Sequence, residues 1–337
     1  MSIAAQLPLV TDEPIGERIG GYLFWGVLIL LIGVIVWALR RRRRGPRPSG
    51  AAGKVTWTRT EDYAEHHRVA WQADPGSFVT RPEHWPLAVT AVFGICGGEP
   101  WDRLALHNLD VARDGLEEAW GIRSRAQLLS RLHWLLREGH RVGFADEVAD
   151  GEELDDAEAR RVVAGAAGTA SSEVREHAWR LKQVRADARG IRSVVFVAWD
   201  LVRAAMLTRA GFSLGWLSEQ EADDTLRLIS AELQRSYDGW EEMGDHFLRA
   251  RWFWGGNTSQ TSRQNDAHDA SRQAALLAPP RRPWSHVPWI MPIPDSRVLL
   301  VDAMLREGLI EQVPVHSPTR LAEVLDGVTS ERLAAQG

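Results

Sequence analysis

Charged side chains interrupt an apolar stretch, VVFVAWDLVRAAMLTRAGF, that runs from residue 194 to 212. Asp200 and Arg203 stand three positions apart and are the only charged residues from 194 to 207. On a helical wheel that starts at Trp199, Arg203 falls about 40° away, inside the apolar face, and Asp200 about 100° away, on its edge. The pattern predicts a central helix that buries a carboxylate and a guanidinium.

The segment DGWEEMGDHFLRARWFW, residues 238–254, repeats this feature. Trp240, Met243, Phe247 and Trp254 share the apolar face of a predicted helix, and Arg251 falls about 20° from Trp240 on the wheel, in the middle of that face. Two arginines therefore stand where helical periodicity predicts core residues.

Two main hypotheses explain these charges. In the structural one, Asp200 and Arg203 form a buried hydrogen-bonded pair that engages the helix carrying Arg251, with acids such as Glu241 assisting. In the functional one, the guanidiniums line a cleft for an anion or carboxylate, with tryptophans as walls. A third interpretation has an arginine reach the surface along its apolar stem. The candidate buried polar cluster or ligand site comprises Trp199, Asp200, Arg203, Trp240, Glu241, Arg251 and Trp254.

The N-terminal region contains an uncharged segment, residues 19–39, with the sequence IGGYLFWGVLILLIGVIVWAL. Its 21 residues would span roughly 31 Å as a helix, about the hydrocarbon thickness of a bilayer. Five arginines follow directly, namely Arg40, Arg41, Arg42, Arg43 and Arg44. Because basic residues stay on the cytoplasmic side, we expect a single-pass protein of the inner (plasma) membrane with its N-terminus outside. The bilayer is one expected partner, and the arginines are also suited to contacting anionic lipid.

The rest of the chain is predicted to be a cytoplasmic all-α domain, because helical periodicity recurs and no strand-like alternation is found. Ser124 with Gln127, and Ser218 with Glu221, have the spacing of helix N-terminal capping pairs. The predicted divisions are a short tail (1–18), a transmembrane helix (19–39), a basic Pro/Gly-rich linker (40–56), a helical domain (57–256), and a C-terminal region (257–337) with a polar loop and short elements. A Pro/Trp-rich strip, residues 279–294, is interpreted as packing along the domain, with a docking surface as the alternative.

Signals for defined chemistry are weak. A net charge of −5 argues against a nucleic-acid-binding domain. The single cysteine, Cys96, lies among small and apolar residues and is interpreted as a core residue. His66 and His67 have no second pair at metal-ligand spacing, and neither a phosphate-binding loop nor a nucleophile motif is found. We therefore predict no catalytic residue, no metal site and no cofactor.

Three ordered segments resemble the bacterial DUF1266 family. They are AWGIRSRAQLLSRLHWLLREGHR, AWDLVRAAMLTRAGFSLGWLSEQEA and GWEEMGDHFLRARWFW, which fall between residues 85 and 254. The sequence departs from the family pattern at Gly239, where serine is usual, and at Ala250, where glycine is usual. The resemblance implies an α-helical domain of unknown activity, and it marks the same residues as the helical wheels.

The expected function is that of a membrane-tethered interaction or regulatory module without catalysis, whose protein partner is unknown. One alternative is an enzyme or ligand-binding domain for an anionic substrate that uses Arg203, Arg251 and Asp200. Another is an immunity or toxin-associated protein of bacterial competition.

Overall fold

The computed structural model describes residues 80–97, 99–169, 171–255, 276–277, 283–314 and 316–335. Every regular element among them is helical, which confirms the all-α prediction. The helices are α1 (His84–Val89), α2 (Ala91–Gly97), α3 (Leu109–Trp120), α4 (Arg125–Arg137), α5 (Gly139–Glu153), α6 (Asp156–Ala166), α7 (Ser172–Arg185), α8 (Val197–Ser213), α9 (Glu219–Ser236), α10 (Trp240–Gly255), α11 (Pro283–His286), α12 (Leu299–Arg306) and α13 (Arg320–Ala334). A 3₁₀ helix, Ala188–Ser193, precedes α8.

The predicted transmembrane segment, residues 19–39, and the arginines that follow it lie outside the described residues. Among the helices that are described, none combines the length and the apolar character needed to cross a bilayer.

Helix α8 lies at the centre of the fold, as its apolar sequence predicts. It packs against α9, α4, α10, α3 and α5. Its small residues Ala198, Ala204 and Ala205 are fully buried, which lets neighbouring helices approach on several sides. Asp200 and Arg203 are also buried, so the prediction that this helix takes charge into the core is confirmed.

Capping residues begin the neighbouring helices where the sequence predicts. The Ser124 side chain accepts a hydrogen bond from the Gln127 backbone N–H at the start of α4. Ser218 and Glu221 form a complete capping box at the start of α9, each side chain accepting from the other's backbone N–H. These local interactions fix the directions in which α4 and α9 leave their turns.

A smaller core beside α8 joins α5, α7 and α10. Phe144 stacks on Phe196 with ring centroids 4.3 Å apart, and Phe253 meets Phe144 edge to face at 5.3 Å. Trp199 packs against both this core and the main one. The two cores therefore meet at the residue that precedes Asp200.

The described part of the C-terminal region is packed into the main core. Trp284 is buried, lies parallel to Trp240 at 5.8 Å, and donates from Nε1 to the Ala88 carbonyl at 3.0 Å. Leu300 and Leu325, on α12 and α13, belong to the same core. The interpretation of the Pro/Trp-rich strip as packing along the domain is confirmed for Trp284.

Candidate functional site

The Asp200 carboxylate binds the start of another helix. Its Oδ1 accepts hydrogen bonds from the His140 backbone N–H at 2.9 Å and lies 3.0 Å from His140 Nδ1. Its Oδ2 accepts from the Arg141 backbone N–H at 3.0 Å and from the Arg141 guanidinium at 3.2 Å. Because the first N–H groups of a helix have no partner within it, Asp200 acts as an N-terminal cap for α5 from 60 residues away in sequence.

Arg141 completes the junction between α4 and α5. Its guanidinium donates to the carbonyls of Leu135 at 2.7 Å and Leu136 at 2.5 Å, which are among the last carbonyls of α4. The Thr319 hydroxyl donates to the next free carbonyl, that of Arg137, at 2.8 Å. The end of one helix and the start of the next are therefore both satisfied at one point.

Gly139 makes this close junction possible. Its φ is +62°, a left-handed conformation that side chains other than glycine disfavour. A Cβ at this position would lie 2.1 Å from Asp200 Oδ2. The sequence predicts a helix stop at Gly139, and α4 does end just before it, at Arg137; the chain then turns directly into α5.

Hydrogen bonds and nearby cations keep Asp200 ionised. Burial raises the pKa of Asp200, but the hydrogen bond from His140 and the charges of Arg141 and Arg203 lower it below its ordinary value. Burial, followed by the charge of Arg203, lowers the pKa of His140 to about 4. His140 is therefore neutral at physiological pH, with the Nδ1 hydrogen directed to Asp200 and a lone pair on Nε2.

The predicted hydrogen bond between Asp200 and Arg203 is wrong. Among the described residues, Asp200 forms its hydrogen bonds and ion pairs with His140 and Arg141. Within the same part of the chain, the polar contacts of Arg203 are two long ones to His140, at 3.4 and 3.5 Å. A helical wheel gives the direction of each side chain but not the groups it meets, and here a neighbouring helix supplies a better partner for the carboxylate.

Arg203 lies between two tryptophan rings. Its guanidinium carbon is 4.5 Å from the Trp120 ring centroid and 4.4 Å from that of Trp199. Arg203 is 8% exposed, so the residue is almost entirely removed from solvent. Burial lowers the pKa of its guanidinium to about 10, which still leaves it charged at physiological pH.

A second arginine shares one of these rings. The Arg131 guanidinium carbon lies 5.9 Å from the Trp120 centroid and 5.0 Å from that of Trp134. Trp134 in turn meets His140 edge to face at 4.9 Å. We call this set the tryptophan–arginine cluster; it comprises Trp120, Arg131, Trp134, His140, Trp199 and Arg203. Across the described residues, no carboxylate lies within ion-pair distance of either arginine.

Arg209, two turns further along α8, shows how the fold satisfies a buried guanidinium by itself. It is 2% exposed and donates to the carbonyls of Pro100, Arg103 and Leu104 and to the Thr90 hydroxyl, at 2.6 to 3.3 Å. Arg203 has no comparable set of acceptors. The two arginines of one helix therefore have different surroundings.

A family model described as a protein of unknown function, DUF1266, matches residues 115–289, just over half of the chain. The chain belongs to the DUF1266 family. The match includes every residue of the tryptophan–arginine cluster and also Asp200. No curated protein and no solved structure matches the chain.

The remaining predicted residues of this DUF1266 chain lie in several environments. Trp240 is buried in the main core, where its Nε1 donates to the Val287 carbonyl at 2.7 Å. Glu241 is exposed at the start of α10, and Arg251 is half-buried further along it. Trp254 meets the neutral His140 ring edge to face, with ring centroids 4.8 Å apart. Asp200 and Arg203 were predicted to contact Glu241 and Arg251, but their polar contacts in the described structure come from His140 and Arg141 of α5.

The sequence predictions did not include four members of the cluster: Trp120, Arg131, Trp134 and His140. A usable signal was present, because Arg131 and Trp134 are spaced i, i+3 on α4 and so share one side of the helix. No group of His, Cys, Asp and Glu within the described part of the chain has the arrangement of a metal site.

Proposed function

We propose that this chain is a membrane-tethered interaction or regulatory module that acts without catalysis. The tether is the uncharged segment at residues 19–39, and the five arginines after it favour a cytoplasmic position for the domain. The helical domain, which belongs to the DUF1266 family, is then the part that recognises a partner.

The environment of Asp200 is the observation that carries the non-catalytic half of this proposal. A catalytic acid or base must reach a substrate proton. Asp200 is 0% exposed, and both its oxygens are occupied by donors from the α4–α5 junction. Its neighbour His140 directs Nδ1 to Asp200, and its lowered pKa makes it a weak base. The acid that an enzyme mechanism would use is committed to holding two helices together.

Binding of an anionic ligand is the second candidate function, and the position of Arg203 favours it. A buried guanidinium without a carboxylate has its charge available for a bound group. This function is compatible with the first, since ligand binding is a common way to control an interaction module.

The tether is tested with fusions to the C-terminus of the full-length chain. A fluorescent reporter that folds in the cytoplasm should be active, and an alkaline phosphatase reporter that needs the outside should be inactive. A matched variant with Arg40 to Arg44 changed to glutamine should lose this orientation or show both. Active phosphatase on the unchanged chain would contradict the proposal.

The interaction half is tested by quantitative cross-linking and purification from membranes. A chain in which residues 19–39 are replaced by an unrelated span should keep its cross-linked proteins, because recognition belongs to the helical domain. A chain truncated after residue 56 should lose them. If the truncated chain retains the same proteins, the domain is not the recognition element.

A further inference from the structure

Charge around the tryptophan–arginine cluster is unbalanced. Among the described residues, the charged groups that act most strongly on its centre are the guanidiniums of Arg131, Arg141 and Arg203 and the carboxylate of Asp200. His140 is neutral, so three positive charges and one negative charge leave a local charge of +2. Asp200 already serves Arg141 and the α5 N-terminus, which leaves Arg131 and Arg203 as the uncompensated pair.

The position of this charge is suited to binding rather than to structure. Arg131, Trp120 and Trp134 are half-buried, so the side of the cluster formed by α3 and α4 is partly exposed to solvent. The rings hold the guanidiniums by cation–π contact but offer no acceptors for their N–H groups. Trp199 Nε1, on the ring that carries Arg203, is buried and also lacks a hydrogen-bond partner.

We infer that Arg131 and Arg203 bind the phosphoryl group of a phosphomonoester between them, with Trp120 and Trp134 flanking it. A phosphomonoester carries close to two negative charges at neutral pH and three acceptor oxygens. Two arginine forks match those oxygens, whereas a single carboxylate would neutralise only half of the local charge. The phosphomonoester is the ligand class of the module proposed above. The inference rests on that proposed function in one respect, namely that the ligand is bound and not chemically converted.

The same chemistry has two sources. One is a soluble phosphate ester, and the other is the headgroup of phosphatidic acid, a lipid whose phosphate is also a monoester. A domain held close to a bilayer has access to both.

Binding is measured by isothermal titration of inorganic phosphate into the full-length chain, purified in a non-ionic maltoside detergent and phosphate-free buffer. We expect saturable binding at one site and much weaker binding of acetate. The variants Arg131→Gln and Arg203→Lys should each weaken phosphate binding about tenfold to a hundredfold, because one set of charge-assisted hydrogen bonds is lost. Arg113→Gln is the matched control, since Arg113 is an exposed arginine of α3 that pairs with Asp110, and it should bind as the unchanged chain does.

Both variants are expected to fold, because Arg203→Lys keeps the buried charge and Arg131→Gln alters a half-buried residue. Circular dichroism of each variant and of the unchanged chain checks that the helical structure is retained. No saturable heat of phosphate binding, or equal affinity in the unchanged chain and in folded variants of both arginines, would overturn the inference. Flotation with vesicles containing phosphatidic acid or phosphatidylglycerol then identifies the source. If the chain binds phosphatidic acid vesicles more strongly than phosphatidylglycerol vesicles, and Arg131→Gln abolishes this difference, the ligand is the lipid headgroup. If the chain binds inorganic phosphate but does not distinguish the two vesicle types, the ligand is a soluble ester.

If the module is in fact catalytic, so that the proposed function fails, the result differs from a failure of the phosphoryl-binding site. Release of nitrophenol from nitrophenyl phosphate, abolished in Arg203→Lys, would show a binding site that is also catalytic. In that case the phosphoryl site stands and the non-catalytic function does not.

Discussion

Replacing Asp200 with asparagine weakens the cap by which α8 holds the start of α5. The new amide has one oxygen, so one pair of donors, either the His140 pair or the Arg141 pair, then faces an NH₂ group in place of an acceptor. The side chain is fully buried and water cannot replace the lost partner. Removing one partner from such a buried charged network costs roughly 3–5 kcal/mol in the free energy of unfolding.

The assay is urea unfolding of the full-length chain in non-ionic detergent, followed by tryptophan fluorescence. The midpoint should fall by an amount equivalent to that loss, with an unchanged slope. Asp223→Asn is the matched control, because Asp223 pairs with Arg227 at the partly exposed surface of α9, and it should change stability by about 0.5 kcal/mol or less. If Asp200→Asn and Asp223→Asn shift the midpoint equally little, the capping role of Asp200 is refuted.

The pH dependence of the same pair of proteins gives an independent check. The folded pKa of Asp200 lies below its ordinary value of 3.8, so between the two values the unfolded chain binds more protons than the folded one. The contribution of Asp200 is therefore present above the unfolded pKa and is lost as the pH falls through the folded pKa. The stability gap between the unchanged chain and Asp200→Asn should therefore stay constant from pH 7 to about pH 5 and narrow only as the pH falls below the unfolded value of 3.8.

Three further changes test other parts of the fold, each by urea unfolding. Gly139→Ala should destabilise the chain by several kcal/mol, because its Cβ would lie 2.1 Å from Asp200 Oδ2 at a left-handed φ; a change below about 1 kcal/mol would contradict this. Arg209→Met should cost about 3 kcal/mol or more, because it leaves buried acceptors without donors, and a neutral effect would mean that they find others. Burial raises the pKa of Glu147 to about 7, and the charge of Arg180 opposes this rise. Between pH 4.5 and 7 the folded chain therefore holds a proton that the unfolded chain has lost, and the free energy of unfolding falls as the pH rises. Glu147→Gln should remove this fall. If the free energy of unfolding falls equally in the unchanged chain and in Glu147→Gln over that pH range, Glu147 is not the source of the fall.

The sequence predicts the helices and caps well because these depend on neighbours within a few residues. Ser124 and Ser218 cap the helices that follow them, and both signals lie within three positions of the N–H groups they serve. Burial of Asp200 and Arg203 is predicted equally well, because helical periodicity determines which face a residue occupies.

The partners of these charges depend on tertiary structure, because they lie on other helices. The periodicity of a single helix carries no information about them. Asp200 meets groups about 60 residues away, and the spacing of three to Arg203 suggested a pair that does not form. Arg131 was missed for a related reason. A half-buried arginine on an amphipathic helix resembles a solvated one in sequence, and its contacts with two tryptophan rings appear only when α3 and α4 are placed together.

The structural and candidate ligand-binding parts of this domain are connected through His140. Asp200 fixes the His140 backbone and ring, and the opposite ring nitrogen, Nε2, lies 3.5 Å from the Arg203 guanidinium. The same carboxylate lies close enough to favour the charged form of Arg203 without forming an ion pair with it. Asp200 therefore positions Arg203 while leaving its N–H groups free of a carboxylate. A direct Asp200–Arg203 pair would have occupied the N–H groups that the proposed phosphoryl group needs, so the capping of α5 by Asp200 leaves those donors available to it.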